Sequence, residues 1–457
     1  MNPENTKKQN IAVSGGGISG LSVGYALMKH GAEFSLFEPK DATGGMIRTE
    51  RREGYLLEHG PNSLLNLNAR LDDFCSEIGL DVERIFQASE SKARFILRKG
   101  RLVSLPRSPF QFLTTSILSP LGKLRVLREP FISPFPNRQA ESISQFVRRR
   151  FGNEFMNYIV DPMIEGIYAG DPENLSMEAT FSRLTDLETR YGSLVKGFIK
   201  RKREEKRSRR IDLFSFKAGL GVLPGRLFTI LRDRIELNSA VESLSRDASG
   251  EFILNVRKGS GRESVRAGKV VLASPAYVSA PVVRHISSQL ADTLESIEYA
   301  PVAILNLGFS KSILKKPFNG SGCLIPKMEE FQLLGFRVNS NLYPGRAPEG
   351  KILMTCFIGG TRNRGVLGKS DPELLETALK ELDKLLGLKS GPEFVHILRH
   401  EKAIPQYDLN HPRKIETIEK ELKQVPGLYL AGNFLKGVSV WDCLSQGLEL
   451  GRAISEE

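Results

Sequence analysis

Residues 11–38, IAVSGGGISGLSVGYALMKHGAEFSLFE, constrain the fold more tightly than any other stretch of the 457-residue chain. They read as an apolar strand, a glycine turn, a helix, and a second strand that ends on a carboxylate. Gly15, Gly17 and Gly20 give the spacing G-x-G-x-x-G. The first glycine permits a tight turn, the second lets backbone approach a pyrophosphate, and the third lets the helix pack closely on the strand. A helix starting at Ile18 and Ser19 then presents its free N–H groups and positive dipole end to phosphate. Glu38 lies eighteen residues past Gly20, where an acid accepts hydrogen bonds from ribose hydroxyls and disfavours a 2′-phosphate. The context on both sides of the turn is that of a dinucleotide site.

The length is that of two or three domains. The first ten residues, MNPENTKKQN, lack the apolar core of a secretory signal, and no apolar run approaches the roughly eighteen residues that span a bilayer. A cytoplasmic location is the expectation. Cys75, Cys323, Cys356 and Cys443 are far apart, as are the six histidines, so free thiols and no metal site are expected. The net charge of +12 implies an acidic partner. Nine basic residues against two glutamates in 196–210, KGFIKRKREEKRSRR, make much of that excess local. Such a block is often just a solvated face. However, residues 105–135 upstream mix Phe, Leu and Ile with Arg and Lys and are broken by prolines, a pattern suited to short helices on an anionic membrane surface. Nucleic acid is disfavoured because the block has no interleaved aromatics.

Further along, KDATGGMIRT brings Gly44 and Gly45 for a second close backbone approach and Arg48 to reach phosphate or ring oxygens. ARFILRKGRLVSLP alternates as a hairpin about Lys99 and Gly100, residues 106–200 read as helical, and strand patterns return at FSFKAGLGVLPGRLFTIL and RIELNSAVESL. Val241 in the latter offers backbone groups to an adenine edge, with a plain sheet residue equally open. Residues 300–405 alternate strands with one clear helix, PELLETALKELDKLLGL. The end of the chain repeats the opening theme as a buried strand, a glycine turn (Gly432, Asn433, Gly437) and a helix starting near Val438, Ser439 and Val440.

GGGISGLSVGYAL with Glu38, GGMIRT, and the terminal AGNFLKGVSVWDCLSQG together resemble the flavin-dependent amine oxidase / phytoene desaturase superfamily. EHGPNSLL, DPMIEGIYAGDPENLSM, PGRAPEG, FIGGTRNR and IPQYDLNH narrow the resemblance to its oxygen-dependent protoporphyrinogen oxidase family. It implies an α/β (α+β overall) fold with three parts. These are a Rossmann-like FAD-binding domain (1–65, 212–280, 420–457), an antiparallel-sheet substrate domain (66–105, 281–419) and a helical membrane-binding insertion (106–211). It also implies non-covalent FAD, held additionally by Gly60, Pro61 and Asn62, with amides near Val438 and Ser439 facing the flavin N1–C2=O edge.

The implied reaction is six-electron oxidation of protoporphyrinogen IX by O2, releasing H2O2, in haem biosynthesis. No general base is assigned. Coproporphyrinogen III is the alternative substrate, and an amine or polyene a more distant one. Arg94 matches an arginine that pairs with a substrate propionate, Phe357 and Leu324 match residues that sandwich the macrocycle, and Gly166 offers a carbonyl to pyrrole N–H groups. Arg337 stands where the family has a second aliphatic wall residue, so either the alignment slips by one or the pocket gains a cation for a second carboxylate. Arg94 favours the two-propionate substrate and Arg337 weakens that preference. Association with the inner face of the cell membrane, a homodimer, and hand-off of product to a ferrochelatase complete the implied partners. A non-catalytic lipid-binding use of the fold is argued against by the retention of both glycine turns.

Overall fold

The computed structural model describes residues 7–66, 69–88, 93–134, 141–204, 212–315 and 318–457. Its first sheet grows from the opening unit: Lys7–Ser14 lies parallel to Phe34–Phe37 on one side and to Gly261–Leu272 on the other. Distant segments supply the other strands. Ile235–Glu236 joins Phe34–Phe37, a meander runs through Ser239–Arg246 and Phe252–Lys258 into Gly261–Leu272, and Leu428–Leu430 pairs with the end of that last strand. Phe34–Phe37 is buried throughout, as a parallel strand covered on both faces must be. One face carries the helices Ala276–Val283, Ser288–Glu295 and His411–Gln424. On the other, Ile18–Lys29 and Val440–Glu456 approach backbone to backbone. A Cβ at Gly447 would stand 2.7 Å from the Ser19 carbonyl oxygen, and one at Gly451 2.6 Å from that of Val23.

Two stretches fold otherwise than their patterns imply. RIELNSAVESL is not one strand, because Asn238 adopts φ 53° and its N–H donates to the Lys40 carbonyl at 2.9 Å, which turns the chain between Ile235–Glu236 and Ser239–Arg246. Asparagine tolerates that left-handed conformation better than most residues. Of FSFKAGLGVLPGRLFTIL, only Leu213–Phe216 is a strand. Val222–Leu231 is a helix with Pro224 in its first turn, where a missing N–H costs nothing, and Leu223, Leu227 and Leu231 line its buried face. The Leu213–Phe216 strand pairs with Leu64–Leu65 and Arg84–Phe86 in a small separate sheet.

The second large sheet runs Phe394–Pro405, Tyr299–Ser310, Lys351–Gly359, Leu333–Val338, Gly322–Leu324, Arg94–Arg98 and Arg101–Ser104. Every pairing is antiparallel except that of Gly322–Leu324 with Arg94–Arg98. Leu305, Cys356, Phe336 and Cys323, in register across four strands, pack into a core with Leu374, Ala378 and Leu382 of the helix Asp371–Leu386. The opposite face, one residue along each strand, looks onto the candidate site.

Between 105 and 204 the described residues contain no strand of the four sheets. Ser108 and Ser119 cap the helices Pro109–Thr114 and Pro120–Leu127, each with proline at the first helical position. Arg150 lies wholly buried and pairs with Glu129 at 3.0 Å and with Glu188, while Glu129 also accepts the Ser193 hydroxyl at 2.6 Å and the Leu194 N–H at 2.9 Å. This closed network ties Ile143–Phe151 to Met177–Tyr191 and Leu194–Glu204. Within the basic block, residues 205–210 lie outside the described residues.

Candidate functional site

The glycine turn has the geometry of a cradle. Gly15 takes φ 109°, and a Cβ on Gly20 would stand 1.9 Å from the Gly15 carbonyl oxygen, so helix and turn touch at backbone distance. A Cβ on Gly17 would meet nothing within 4 Å, leaving open space before the start of Ile18–Lys29. Gly44 donates its N–H to the Gly16 carbonyl at 2.8 Å, and Gly45 lies against Gly17, so the second glycine pair braces the first. Glu38 is buried at the end of its strand and accepts the N–H of Gly16 at 2.7 Å and of Lys40 at 3.0 Å. A carboxylate has about four lone-pair positions, so capacity remains for ribose hydroxyls. Arg48 faces a cavity of about 500 Å³ with Asp41, Thr43, Gly221 and Leu237. Val241 sits on the sheet's edge strand, immediately before a bulge.

A second cavity of about 480 Å³, within the range usual for small-molecule sites, brings together Gly60, Pro61, Asn62, Gly166, Leu324, Arg337, Phe357, Asn433, Val438, Ser439 and Val440. Gly432 and Gly437 lie in the turn behind its last residues. Gly437 takes φ 77° with the Asp442 carboxylate so close that a Cβ would meet it at 2.5 Å. That carboxylate also caps the last helix. Asp442 accepts the Ser439 N–H at 3.2 Å and its hydroxyl at 2.6 Å in a capping box, so the Ser439 amide is engaged within the helix cap. The amides of Val440 and Trp441, in the first helical turn, are the ones whose bonds the helix cannot supply.

Two rows of side chains share the sheet face that meets the cavity, and Ile304, Phe357, Gly335, Leu324 and Arg337 among them line it. Leu398, Ile304, Phe357, Gly335, Leu324 and Ile96 make an apolar row, with Gly335 closing up on the Cys323 carbonyl between Phe357 and Leu324. Two residues along, His396, Asn306, Thr355, Arg337, Gly322 and Arg94 make a polar row. Thr355 donates to Asn306 at 2.6 Å and accepts from Asn339 at 2.7 Å. Arg337 donates to Asn62, which also accepts the Ser63 hydroxyl at 2.9 Å. Burial lowers the Arg337 pKa, Tyr343 opposes that shift, and Arg94 adds to it. The strand pairing runs unbroken from Gly335 to Val338, and Arg337 lines the cavity. Arg94 is exposed and outside the cavity lining, at the far end of the polar row.

Several participants carried no role in the sequence reading. Glu165, beside Gly166, lines the cavity and pairs with Arg362. His400 also lines it, its Nε2–H donating to the His59 carbonyl at 2.7 Å, and burial lowers its pKa. Tyr407 donates to the Asn433 carbonyl at 2.5 Å and stacks on His411 with centroids 4.2 Å apart. Thus IPQYDLNH braces the turn before the last helix. The motif was visible, but bracing requires knowing which loop lies opposite.

The residues fit a flavin dinucleotide: an open glycine cradle, a ribose-side acid, and a helix start at the cavity, all in one molecule. A family model for flavin containing amine oxidoreductase matches residues 18–454. Protoporphyrinogen oxidase 2, chloroplastic/mitochondrial, of Arabidopsis thaliana is 32% identical, over 96% of this chain and 92% of its own. Coproporphyrinogen III oxidase of Bacillus subtilis is 25% identical over 96% of each chain. A solved Exiguobacterium sp. 255-15 chain, provisionally named protoporphyrinogen oxidase, has the same fold, with TM-score 0.80 at 24% identity and 98% and 99% of the two chains covered. The chain belongs to the flavin containing amine oxidoreductase family.

Proposed function

We propose that this protein binds FAD non-covalently and oxidises a porphyrinogen, protoporphyrinogen IX first, to the porphyrin with O2 as acceptor and H2O2 as product. The observation that carries this reading is the cavity wall on the second sheet, where Ile304, Phe357 and Leu324 stand beside the cation of Arg337. An apolar macrocycle suits the row of Ile304, Phe357 and Leu324, while its propionates suit the row of Arg337 and Arg94. Relatives named for protoporphyrinogen and coproporphyrinogen oxidation support the same substrate class.

When bound, the flavin supplies the hydride acceptor and returns electrons to oxygen. The chain's own residues bind, orient and exclude water. Gly15, Gly17, Ile18, Ser19 and Gly20 hold the pyrophosphate, Glu38 the ribose, Gly44, Gly45 and Arg48 the phosphate side, and Gly60, Pro61 and Asn62 the ring side. Val241 pairs with the adenine edge. Gly432, Asn433 and Gly437 shape the turn that aims the helix start at Val440 toward the reduced ring's negative edge. Leu324 and Phe357 hold the macrocycle, and the Gly166 carbonyl accepts from pyrrole N–H groups.

The exposed apolar side chains of the helical region extend the proposal to peripheral attachment at an anionic membrane. No helix among the described residues is long and apolar enough to cross one.

Aerobic assay of the purified protein on protoporphyrinogen IX and coproporphyrinogen III, read by porphyrin fluorescence, tests the reading. The expected result is yellow protein that releases FAD on denaturation and favours the two-propionate substrate. Protein without flavin overturns the cofactor assignment, and preference for coproporphyrinogen III exchanges the substrate for the four-propionate one.

A further inference from the structure

Arg94 and Arg337 both stand directly opposite Gly322, one on each neighbouring strand. Residues paired across a sheet share a face, so both side chains leave the same face, Arg337 into the cavity lining and Arg94 exposed beyond it. A Cβ at Gly322 would run into the Phe336 carbonyl oxygen, so the glycine lets the strand carrying Arg337 close up at this point. Two strand spacings separate the two backbones, roughly 10 Å, and the two charges sense one another. No carboxylate among the described residues pairs with either guanidinium. Arg337 has the Asn62 amide oxygen as its side-chain partner, a neutral group. A cation set into a cavity wall without a counter-charge keeps an electrostatic cost that an incoming anion relieves. The apolar row through Leu324 and Phe357 lies beside this pair, so an anion arriving there comes attached to an apolar body.

We propose that Arg337 and Arg94 form a two-cation clamp across Gly322 that takes two carboxylates from one edge of the substrate, with Arg337 the residue that sets specificity for a diacid. The inference rests on the porphyrinogen reading and deepens it. The clamp fixes which edge of the macrocycle faces the sheet's polar row and therefore how the ring is turned over Gly335. A substrate whose carboxylates are absent or capped loses both contacts and leaves two cations facing one another.

The chain's single tryptophan, Trp441, lines the same cavity, so energy transfer from it to a bound porphyrin reports binding without turnover. The test titrates the holoenzyme with protoporphyrin IX and with its dimethyl ester. The variants are Arg337→Leu and Arg337→Gln, the second retaining a donor toward Asn62. Wild type is expected to favour the diacid, and both variants to lose that preference by about tenfold or more, the effect of removing a charge-assisted bond. Unchanged flavin content in the variants goes with that result. A diacid preference equal to wild type in both variants overturns the clamp while leaving the porphyrinogen reading intact. Loss of flavin with the preference unchanged also overturns it, by showing that the anion Arg337 serves is the cofactor. Failure of wild type to bind either porphyrin overturns the porphyrinogen reading and the clamp with it.

Discussion

The Leu324 side chain lies directly over Gly166: a Cβ placed on the glycine would meet Leu324 Cδ2 at 2.9 Å. One residue comes from the strand Gly322–Leu324 of the second sheet and the other from the helix Asp161–Tyr168, and both line the cavity. A methyl at 166 must push Leu324 inward, and a leucine tip can move. Gly166→Ala should therefore fold and keep flavin while lowering kcat/KM for the porphyrinogen, through loss of room for the macrocycle. Adding Leu324→Ala should return part of the activity, which a two-substitution cycle measures directly. Additive losses in the double variant would separate the two residues.

Gly17 and Gly20 share one motif and differ in what surrounds them. Gly17 has φ −71° and open space where its Cβ would go, so alanine is compatible with the bare chain. Gly20→Ala drives a methyl into the Gly15 carbonyl. The expectation is that Gly17→Ala leaves the Tm of flavin-stripped protein nearly unchanged but weakens FAD binding, because the methyl occupies the pyrophosphate's approach. Gly20→Ala should lower the Tm of stripped protein as well. Thermal unfolding with and without FAD distinguishes the two, and equal Tm losses in stripped protein would refute the cradle assignment of Gly17.

The contrast between those glycines shows what a linear pattern carries. The G-x-G-x-x-G spacing is local, and so are the turn, helix and strand it specifies. The split of RIELNSAVESL is less visible, since it depends on Asn238 meeting the Lys40 carbonyl two hundred residues away in sequence. The helix Val222–Leu231 was hidden for another reason: its buried leucines recur every four residues, but neighbouring apolar side chains mask the period and mimic strand. At the cavity, Arg337 was legible as a residue out of pattern. Its pairing with Arg94 across Gly322 was not, because register between strands from opposite ends of a domain is set by the whole sheet. The engagement of the Ser439 amide by Asp442, three residues on, is a capping box whose spacing is present in SVWD.

Glu58 predicts a pH dependence of stability. Burial pushes its carboxyl up to about 7, although the Thr49 hydroxyl at 2.6 Å, the Leu220 N–H at 2.8 Å and the charge of Arg346 all pull it down. In the unfolded chain a glutamate titrates near about 4.3. Between those values the folded protein holds more protons than the unfolded one, so this group's contribution to stability falls as pH rises through the window and is least favourable above about 7. Glu58→Gln removes the penalty. The Tm of the variant minus that of wild type should grow more positive from pH 4.5 toward pH 8, to the extent set by the shift. A difference that stays flat, or grows toward acid, contradicts the assignment.

The helical region offers an apolar surface: Phe131 is 87% exposed, Leu121 79% and Phe110 74%. These are not stray side chains. Lys123 Nζ donates to the Leu113 carbonyl at 2.8 Å, joining Pro109–Thr114 to Pro120–Leu127, and the turn Glu129–Phe131 packs against both Pro120–Leu127 and Leu194–Glu204. Phe198 and Ile199 on the last of these are exposed too, next to Lys196 and Lys200. Leucine and phenylalanine facing water in neighbouring elements, with basic residues interspersed, match a helix surface set into the headgroup boundary of an anionic bilayer. A fully buried side chain of this size contributes about 1.5–3 kcal/mol, so Phe110→Ser, Leu121→Ser and Phe131→Ser combined should reduce flotation with phosphatidylglycerol vesicles by more than about tenfold. Raising the salt should release wild type in part, since screening weakens the basic residues and leaves the apolar contacts. The triple variant should keep full flavin content and near-normal turnover of detergent-dispersed substrate, because none of the three residues lines either cavity. Wild-type protein that remains in the aqueous fraction at low salt would remove the membrane from the account and leave these side chains to a protein partner.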